Sequence, residues 1–247
     1  MINCRYEVGD GGAIEYSQRD KKSVDYQIGL TSVAETINTL RDYKKVAMML
    51  GLAEQEFLGM MKGHVLDMGS GYGGLAISLF AIGLFNPFTS TAENDLRVWS
   101  VNPNYTNKNF QEPPERLKRM FRSDFIAGLP LETIAQGLQA HDMLSIPLLS
   151  YDLSPFPDGF FNTIVDNLAV FHHCPLTQQQ FKRSIYEYLR VLKSGGMAVM
   201  GPLVAFKGYD KRKVEIVCEV AIEIGAEVMV FADKQFKSTS SLVIHKH

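Results

Sequence analysis

The sequence predicts an α/β protein built on a doubly wound, mostly parallel sheet of seven strands, with an antiparallel last strand and added helices. Two observations predict this fold class. Apolar segments of strand length alternate with amphipathic segments of helix length across residues 62–247. The last two strand candidates are joined by a polar loop too short for a helical crossover, which favours an antiparallel pair.

Residues 1–61 are predicted to form a helical cap ahead of the sheet. Ser32 and Glu35 match a capping box, which marks the start of a helix. Apolar residues then recur at spacings of three and four, which places them on one helical face: Val33, Ile37, Leu40, Tyr43, Ala47 and Leu50. We therefore expect one amphipathic helix that packs on the core.

Residues 62–247 are predicted to form the sheet domain. The strand candidates are, in order, His64–Met68, Arg97–Val101, Ile146–Ser150, Phe161–Val165, Met197–Met200, Ala226–Phe231 and Ser241–His245. Helices are predicted over Thr177–Leu192 and Val214–Ile224. Residues 106–145 are predicted as a helical insertion, with two helices that start near Pro114 and Pro130.

Composition excludes several classes of function. The 25 Lys and Arg against 27 Asp and Glu leave a net charge of −2, so a nucleic-acid partner is unlikely on charge grounds. The longest apolar run, Leu75 to Phe85, is too short to span a bilayer, and we expect no membrane insertion. The three cysteines are odd in number and far apart, which favours a reduced, cytoplasmic setting and no metal site. The oligomeric state stays open.

A glycine-rich loop follows the first strand candidate, in the sequence VLDMGSGYGG from Val65 to Gly74. Glycines between a strand and a helix allow a tight turn and close approach of the backbone to a ligand. Gly69, Gly71 and Gly74 also satisfy the G-x-G-x-x-G pattern of dinucleotide-binding proteins, so a nicotinamide-dependent oxidoreductase is one alternative.

The surroundings of this loop resemble the class I S-adenosylmethionine-dependent methyltransferases. Asp67 completes a D-x-G-x-G-x-G pattern that resembles their motif I. Small-molecule members have three later sequence blocks, and this chain resembles them in the same order with LSPFPDGFFNTIVDNLAVFHH, RVLKSGGMAVM and its last 22 residues. The resemblance runs from Gly63 to the C-terminus. It implies a Rossmann-like methyltransferase fold, S-adenosyl-L-methionine as cofactor, and methyl transfer to an O, N or C nucleophile of a small-molecule acceptor.

The resemblance also implies roles for individual residues. Asp67 would orient the loop or reach the cofactor's amino group, and His173 would be the catalytic base where the acceptor needs one. Packing and helix capping are the alternative roles of His173. The implied cofactor-binding residues are Asp67, Gly69, Ser70, Gly71, Gly73, Asn102 (ribose), Asp152 (adenine amino group) and Asn167 (beneath the sulfonium).

The ribose position departs from the family pattern. Asn102 stands where a carboxylate is usual, and it lies 35 residues after Asp67 where about 20 is common. Either a loop around residues 86–95 is inserted, or the second strand is misplaced and Glu93 or Asp95 has this role. A catalytically inactive, methyltransferase-like binding module is therefore a further hypothesis.

Overall fold

The computed structural model describes residues 41–88, 95–102, 113–115, 118, 124–167, 169–170, 176–203, 211–232 and 240–247. Its strands are β1 (His64–Met68), β2 (Arg97–Val101), β3 (Ser145–Ile146), β4 (Phe161–Asn167), β5 (Leu192–Gly201), β6 (Glu227–Ala232) and β7 (Ser240–His245). Its helices are α1 (Tyr43–Met49), α2 (Glu54–Met60), α3 (Gly74–Ala81), α4 (Asp124–Gly128), α5 (Leu131–Met143), α6 (Gln178–Val191) and α7 (Lys211–Ile224).

The strands form one sheet in the order β3-β2-β1-β4-β5-β7-β6. The first five pair in parallel, whereas β7 runs antiparallel to both β5 and β6. The chain winds outward from β1 to β3 on one side and then returns to place β4 beside β1 on the other. The predicted doubly wound sheet of seven strands, with an antiparallel last strand, is confirmed.

Each face of the sheet is covered by its own set of helices. On one face, α1, α2, α3 and α5 pack over a row of valines from five strands: Val65, Val98, Val165, Val199 and Val243. On the other face, α6 and α7 pack over residues such as Leu66, Ile164 and Ala198. Strands covered on both faces are apolar along most of their length, which is why they were recognisable as short apolar runs.

The third strand is shorter than the sequence predicts. It covers Ser145–Ile146, and the predicted range Ile146–Ser150 is wrong beyond its first residue. Pro147 has no N–H to donate to a neighbouring strand, and the N–H of Leu148 turns back to the carbonyl of Ile146 at 3.0 Å. The apolar residues that follow leave the sheet edge for this reason.

The helix predicted from Ser32 to Leu50 also needs correction. Residues up to 40 lie outside the described part of the chain, and α1 begins at Tyr43, so the predicted range is not one continuous helix. The side chain of Asp42 caps α1 by accepting the N–H of Lys45 at 2.8 Å. Tyr43, Ala47 and Leu50 are buried, as their shared spacing predicts.

The helix α5 lies in the segment predicted as an insertion, and it connects β2 to β3. Parallel neighbours need a crossover of a dozen or more residues, and α5 provides it. It packs so closely on α3 that a Cβ at Gly137 would lie 3.1 Å from the Cα of Ile77. The residues that this segment contains in addition to the crossover helix are 103–130, between β2 and α5.

Arg190, at the end of α6, binds the loop that precedes β4. Its guanidinium donates to the carbonyls of Leu153 and Phe156 at 2.9 Å, and to the carboxylates of Asp158 and Glu187 at 2.8 to 2.9 Å. Glu187 in turn accepts the N–H of Leu153 at 2.9 Å. The sequence blocks around PFPD and RVLKSGG therefore bind each other, and this contact fixes the entry into β4.

Candidate functional site

The candidate site lies at the carboxyl ends of β1, β2 and β4. The order of the strands reverses between β1 and β4, because the chain continues from β1 toward β2 on one side and returns to β4 on the other. In open α/β sheets the connecting loops diverge at such a point and leave a crevice in which ligands bind. The glycine-rich loop between β1 and α3 borders this point.

Asp67, the last residue but one of β1, has a buried carboxylate, one oxygen of which lacks a described hydrogen-bond partner. Its side chain is 5% exposed. Its Oδ2 has no hydrogen-bond partner among the described residues. Burial, with a smaller contribution from the negative charge of Asp166, raises the pKa of Asp67 to about 8. A cationic group placed beside this carboxylate would restore its ionised form.

Two further buried polar atoms without a described partner lie at the same edge: Ser100 Oγ on β2 and Asn167 Oδ1 on β4. Ser100 is the register partner of Asp67, and Asn167 follows two residues after Val165, which is the other register partner of Asp67. Side chains alternate along a strand, so all three leave the same face of the sheet. Three neighbouring strands thus direct unmet polar groups to one place.

The glycine loop is shaped by close contacts within the chain. Gly69 has φ +69°, and a Cβ there would lie 2.4 Å from the Cβ of Ala169, which follows β4. Gly73 has φ +76°, and a Cβ there would lie 2.2 Å from the ring of His141 on α5. Both positions exclude any side chain on steric grounds as well as by φ. The loop is therefore held between the turn after β4 and the crossover helix.

Asn102 directly follows β2 and is buried. Its N–H donates to the carbonyl of Ile146 at 3.3 Å, which holds it at the carboxyl end of the sheet. Because β2 covers Arg97–Val101 and pairs with β1 in register, the alternative of a misplaced second strand is wrong. Asp95 precedes β2 at the opposite end of the strand, whereas Glu93 lies outside the described residues.

The other two sequence-predicted side chains have different outcomes. Asp152 is exposed, six residues beyond the end of β3, and its carboxylate accepts the N–H of Ser154 in a turn at 3.4 Å. The expected position at a strand end is wrong for the reason given above for β3. His173 lies outside the described residues, so its catalytic role stays a prediction.

Sequence reasoning missed three polar residues near this edge: Ser100, His141 and Asp166. A serine inside an apolar strand was visible as an interruption in RVWSV, and it was a usable signal. His141 falls on an ordinary amphipathic helix, and nothing in its local sequence indicates contact with the glycine loop. Asp166 was seen only as the neighbour of Asn167.

The residues present fit a ligand that carries a positive charge and several hydrogen-bonding groups. The carboxylate of Asp67 suits an ammonium, and Ser100 and Asn167 suit hydroxyl or amino groups. S-Adenosyl-L-methionine offers an ammonium, a carboxylate, two ribose hydroxyls and an adenine amino group. Within the described ranges, no three His, Cys, Asp or Glu side chains come together as a metal site would require.

Comparison with known proteins supports the same fold. The chain is similar to a candidate O-methyltransferase of Nostoc punctiforme at 10% identity and a TM-score of 0.53, over 89% of this chain and 61% of that protein. It is also similar to a candidate S-adenosyl-L-methionine-dependent methyltransferase of Methanococcus maripaludis, at 17% identity and a TM-score of 0.43, over 96% and 97% of the two chains.

A further similar structure is 1,6-didemethyltoxoflavin-N1-methyltransferase of Burkholderia thailandensis, solved with 1,6-didemethyltoxoflavin and S-adenosylhomocysteine. It shares 14% identity at a TM-score of 0.49, over 94% of this chain and 91% of that one. No family model and no curated protein matches the chain. The strand order and the likeness to the Nostoc structure together show a Rossmann-like fold, and the chemistry of the chain must be argued from its own residues.

The helices of the described ranges are each too short or too polar to cross a bilayer.

Proposed function

We propose that this protein binds S-adenosyl-L-methionine across the carboxyl ends of β1, β2 and β4 and transfers its methyl group to an O, N or C nucleophile of a small-molecule acceptor. The observation that carries the proposal is the set of unmet buried polar atoms of Asp67, Ser100 and Asn167. A buried polar atom without a partner costs about 1–3 kcal/mol. Three such atoms on one face at a switch point are what a polar ligand would satisfy.

The proposed roles are those that the family resemblance implies for these residues. Asp67 would bind the ammonium of the methionine part or orient the loop, and Asn102 would accept a ribose hydroxyl at the end of β2. Asn167 would lie beneath the sulfonium at the end of β4. Gly69, Ser70, Gly71 and Gly73 would run beside the methionine part of the cofactor. Asp152 would need to reach the adenine from an exposed turn.

When bound, the cofactor supplies a methyl group on a positively charged sulfur, ready for in-line attack. The chain then has to align the acceptor and exclude water, and alignment alone can provide a large share of the rate. His173 would accept a proton from acceptors that are protonated at neutral pH. The balanced charge of the chain favours a small-molecule acceptor over nucleic acid. The odd number and wide spacing of the three cysteines favour the cytoplasmic setting that we include in the proposal.

Calorimetric titration with S-adenosylhomocysteine tests the cofactor site. We expect saturable binding, and release of nearly one proton at pH 7 because the ammonium favours the ionised form of Asp67. Two buffers with different ionisation enthalpies measure this proton release. Asp67→Asn should weaken binding by roughly tenfold or more, the scale of one charge-assisted hydrogen bond, and should abolish the proton release. Absence of binding at millimolar ligand would refute the proposal.

A catalytically inactive binding module is the second candidate, and two observations favour it. An amide at Asn102 is a weaker acceptor for ribose hydroxyls than a carboxylate. Gly69 and Gly73 are already in close contact with Ala169 and His141, which limits how much of the loop a ligand can use. Methylation of any acceptor in a single turnover with radiolabelled cofactor would exclude this candidate.

The nicotinamide alternative loses its support. Dinucleotide-binding domains of the doubly wound type place six parallel strands in the order 3-2-1-4-5-6. Here an antiparallel β7 lies between β5 and β6. The glycine pattern that suggested this alternative is shared by both classes and decides nothing by itself.

A further inference from the structure

A buried polar network lies at the end of β4, on the face opposite to Asn167. Asp166 is fully buried, and its carboxylate accepts the backbone N–H groups of Ala169 at 2.9 Å and Val170 at 3.2 Å. The same carboxylate accepts the hydroxyl of Tyr188 from α6 at 3.0 Å. The turn that follows β4 is therefore bound by the side chain of the strand that precedes it.

A second side chain reaches this turn from α7. Lys213 is 6% exposed, and its ammonium donates to the carbonyl of Val170 at 3.1 Å. The ammonium also lies 5.2 Å from the centroid of the Phe181 ring. Its positive charge favours the ionised form of Asp166, although burial still raises the pKa of Asp166 to about 6. The turn is thus held through its N–H groups and through a carbonyl.

This turn contacts the glycine loop at Gly69. A Cβ on Gly69 would lie 2.4 Å from that of Ala169, so the two residues are too close for any side chain at position 69. The N–H of Gly69 donates to the carbonyl of Val101 at 2.8 Å, which ties the other side of the loop to β2. The position of Ala169 therefore sets how far the glycine loop can approach β4.

We propose that Asp166, Tyr188 and Lys213 are positioning residues that hold the turn of Ala169 and Val170 against Gly69, and so fix the width of the crevice in which the cofactor binds. This inference rests on the proposed function, since it assigns the network to that site. None of the three side chains needs to touch the ligand. Their effect passes through the backbone of the turn and the first glycine of the loop.

The composition of the network supports positioning over simple packing. Buried ionic groups pay a large desolvation cost, and apolar residues of similar volume would stabilise the fold as well or better. A fully connected polar network instead enforces one geometry, because each missing hydrogen bond leaves an unmet group in a medium of low dielectric constant. Here it connects β4, α6 and α7 to one turn at the edge of the site.

Two substitutions with matched controls test the inference. Tyr188→Phe and Lys213→Met each remove one polar group of the network and keep most of the side-chain volume. Tyr186→Phe is the control for the first, because Tyr186 lies on the same helix and its hydroxyl donates to the carboxylate of Glu223 at the surface. Lys182→Met is the control for the second, since Lys182 pairs with the same exposed Glu223.

The measurement is the dissociation constant of S-adenosylhomocysteine, determined by calorimetry at fixed pH. We expect Tyr188→Phe and Lys213→Met to weaken binding by roughly threefold to tenfold, the scale of one hydrogen bond, and both controls to stay within about twofold of the unmodified protein. Absence of binding to the unmodified protein would overturn the proposed function and this inference together. Binding that is equal in all five proteins would overturn the inference alone.

Hydrogen exchange provides a readout that loss of stability alone would not produce. Tyr188→Phe should speed exchange at the amides of Ala169 and Val170 while exchange in β1 and β5 stays unchanged. Uniformly faster exchange would indicate a purely structural role and overturn the inference. If Lys213→Met does not fold, Ala169→Gly replaces it, because this change removes the contact with Gly69 and leaves the network intact. It should also weaken binding, and unchanged binding would count against the inference.

Discussion

Replacement of Asp67 by asparagine should stabilise the ligand-free protein at neutral pH while it weakens cofactor binding. The carboxylate is buried and its Oδ2 lacks a described partner, so its charged form gains little in the fold. Asparagine has the shape of the protonated acid and does not titrate. A residue retained for ligand binding at the expense of stability would behave in this way.

The magnitude follows from the pKa of Asp67, which rises from 3.8 to about 8 on folding. Between these values the unfolded chain is ionised and the folded chain is protonated, so folding takes up one proton. The free energy of unfolding then falls by about 1.4 kcal/mol for each pH unit, and the accumulated cost at pH 7 is about 4 kcal/mol. The new buried amide costs about 1–3 kcal/mol, which leaves a net gain of about 1–3 kcal/mol.

Urea denaturation at pH 5 and pH 7.5, without ligand, measures the effect. We expect Asp67→Asn to lie within about 1 kcal/mol of the unmodified protein at pH 5 and to be clearly more stable at pH 7.5. Asp152→Asn is the matched control, because this exposed carboxylate should change stability by less than about 0.5 kcal/mol at either pH. A stability difference for Asp67→Asn that is the same at both pH values, or a loss at pH 7.5, would refute the reasoning.

Three other changes test the fold around the site. Arg190→Lys should destabilise the protein by about 2 kcal/mol in urea, because lysine cannot bind two carbonyls and two carboxylates at once, whereas exposed Arg212→Lys should cost less than about 0.5 kcal/mol. Gly73→Ala should cost at least about 1 kcal/mol more than Gly83→Ala, because Gly83 has the same φ of +76° but a Cβ added there would meet no described atom within 4 Å; equal losses would rule out the histidine contact. The pKa of His64 is lowered, chiefly by burial, so the unfolded chain takes up a proton at this histidine first, and His64 should destabilise the fold as the pH drops through 6.5, against the opposite contribution of Asp67. His64→Gln should remove this contribution to the pH dependence of stability. Unfolding can be measured by the fluorescence of the single tryptophan, whose indole N–H donates to His64 at 3.0 Å. An unchanged pH dependence would contradict the assignment.

Strand predictions succeeded where local sequence and tertiary environment demanded the same residues. β1 and β2 begin and end as predicted, since both strands bury apolar residues on the two faces of the sheet. β3 lies at the edge of the sheet and has only one neighbouring strand, so its length depends on where pairing stops and not on apolar content alone. Pro147 was the local signal that pairing ends there.

The candidate site was only partly visible in sequence. Asp67 and Asn167 were predicted because the sequence blocks that contain them resemble those of the methyltransferase family. Ser100 was missed because its significance depends on its register partner, and register is a property of two strands that are 33 residues apart at this point. The close contacts of Gly69 with Ala169 and of Gly73 with His141 likewise join segments that are distant along the chain.

The sequence alone determined the alternation of strands and helices, the parallel core of the sheet and the glycine loop after β1, because apolar periodicity and backbone freedom are local properties. Tertiary structure decided which polar groups are left without partners. It also decided which side chains contact the glycine loop, and which side chains of α6 and α7 bind the turn after β4. Desolvation and steric exclusion depend on atoms brought together by folding, so these features become visible only once the sheet is assembled.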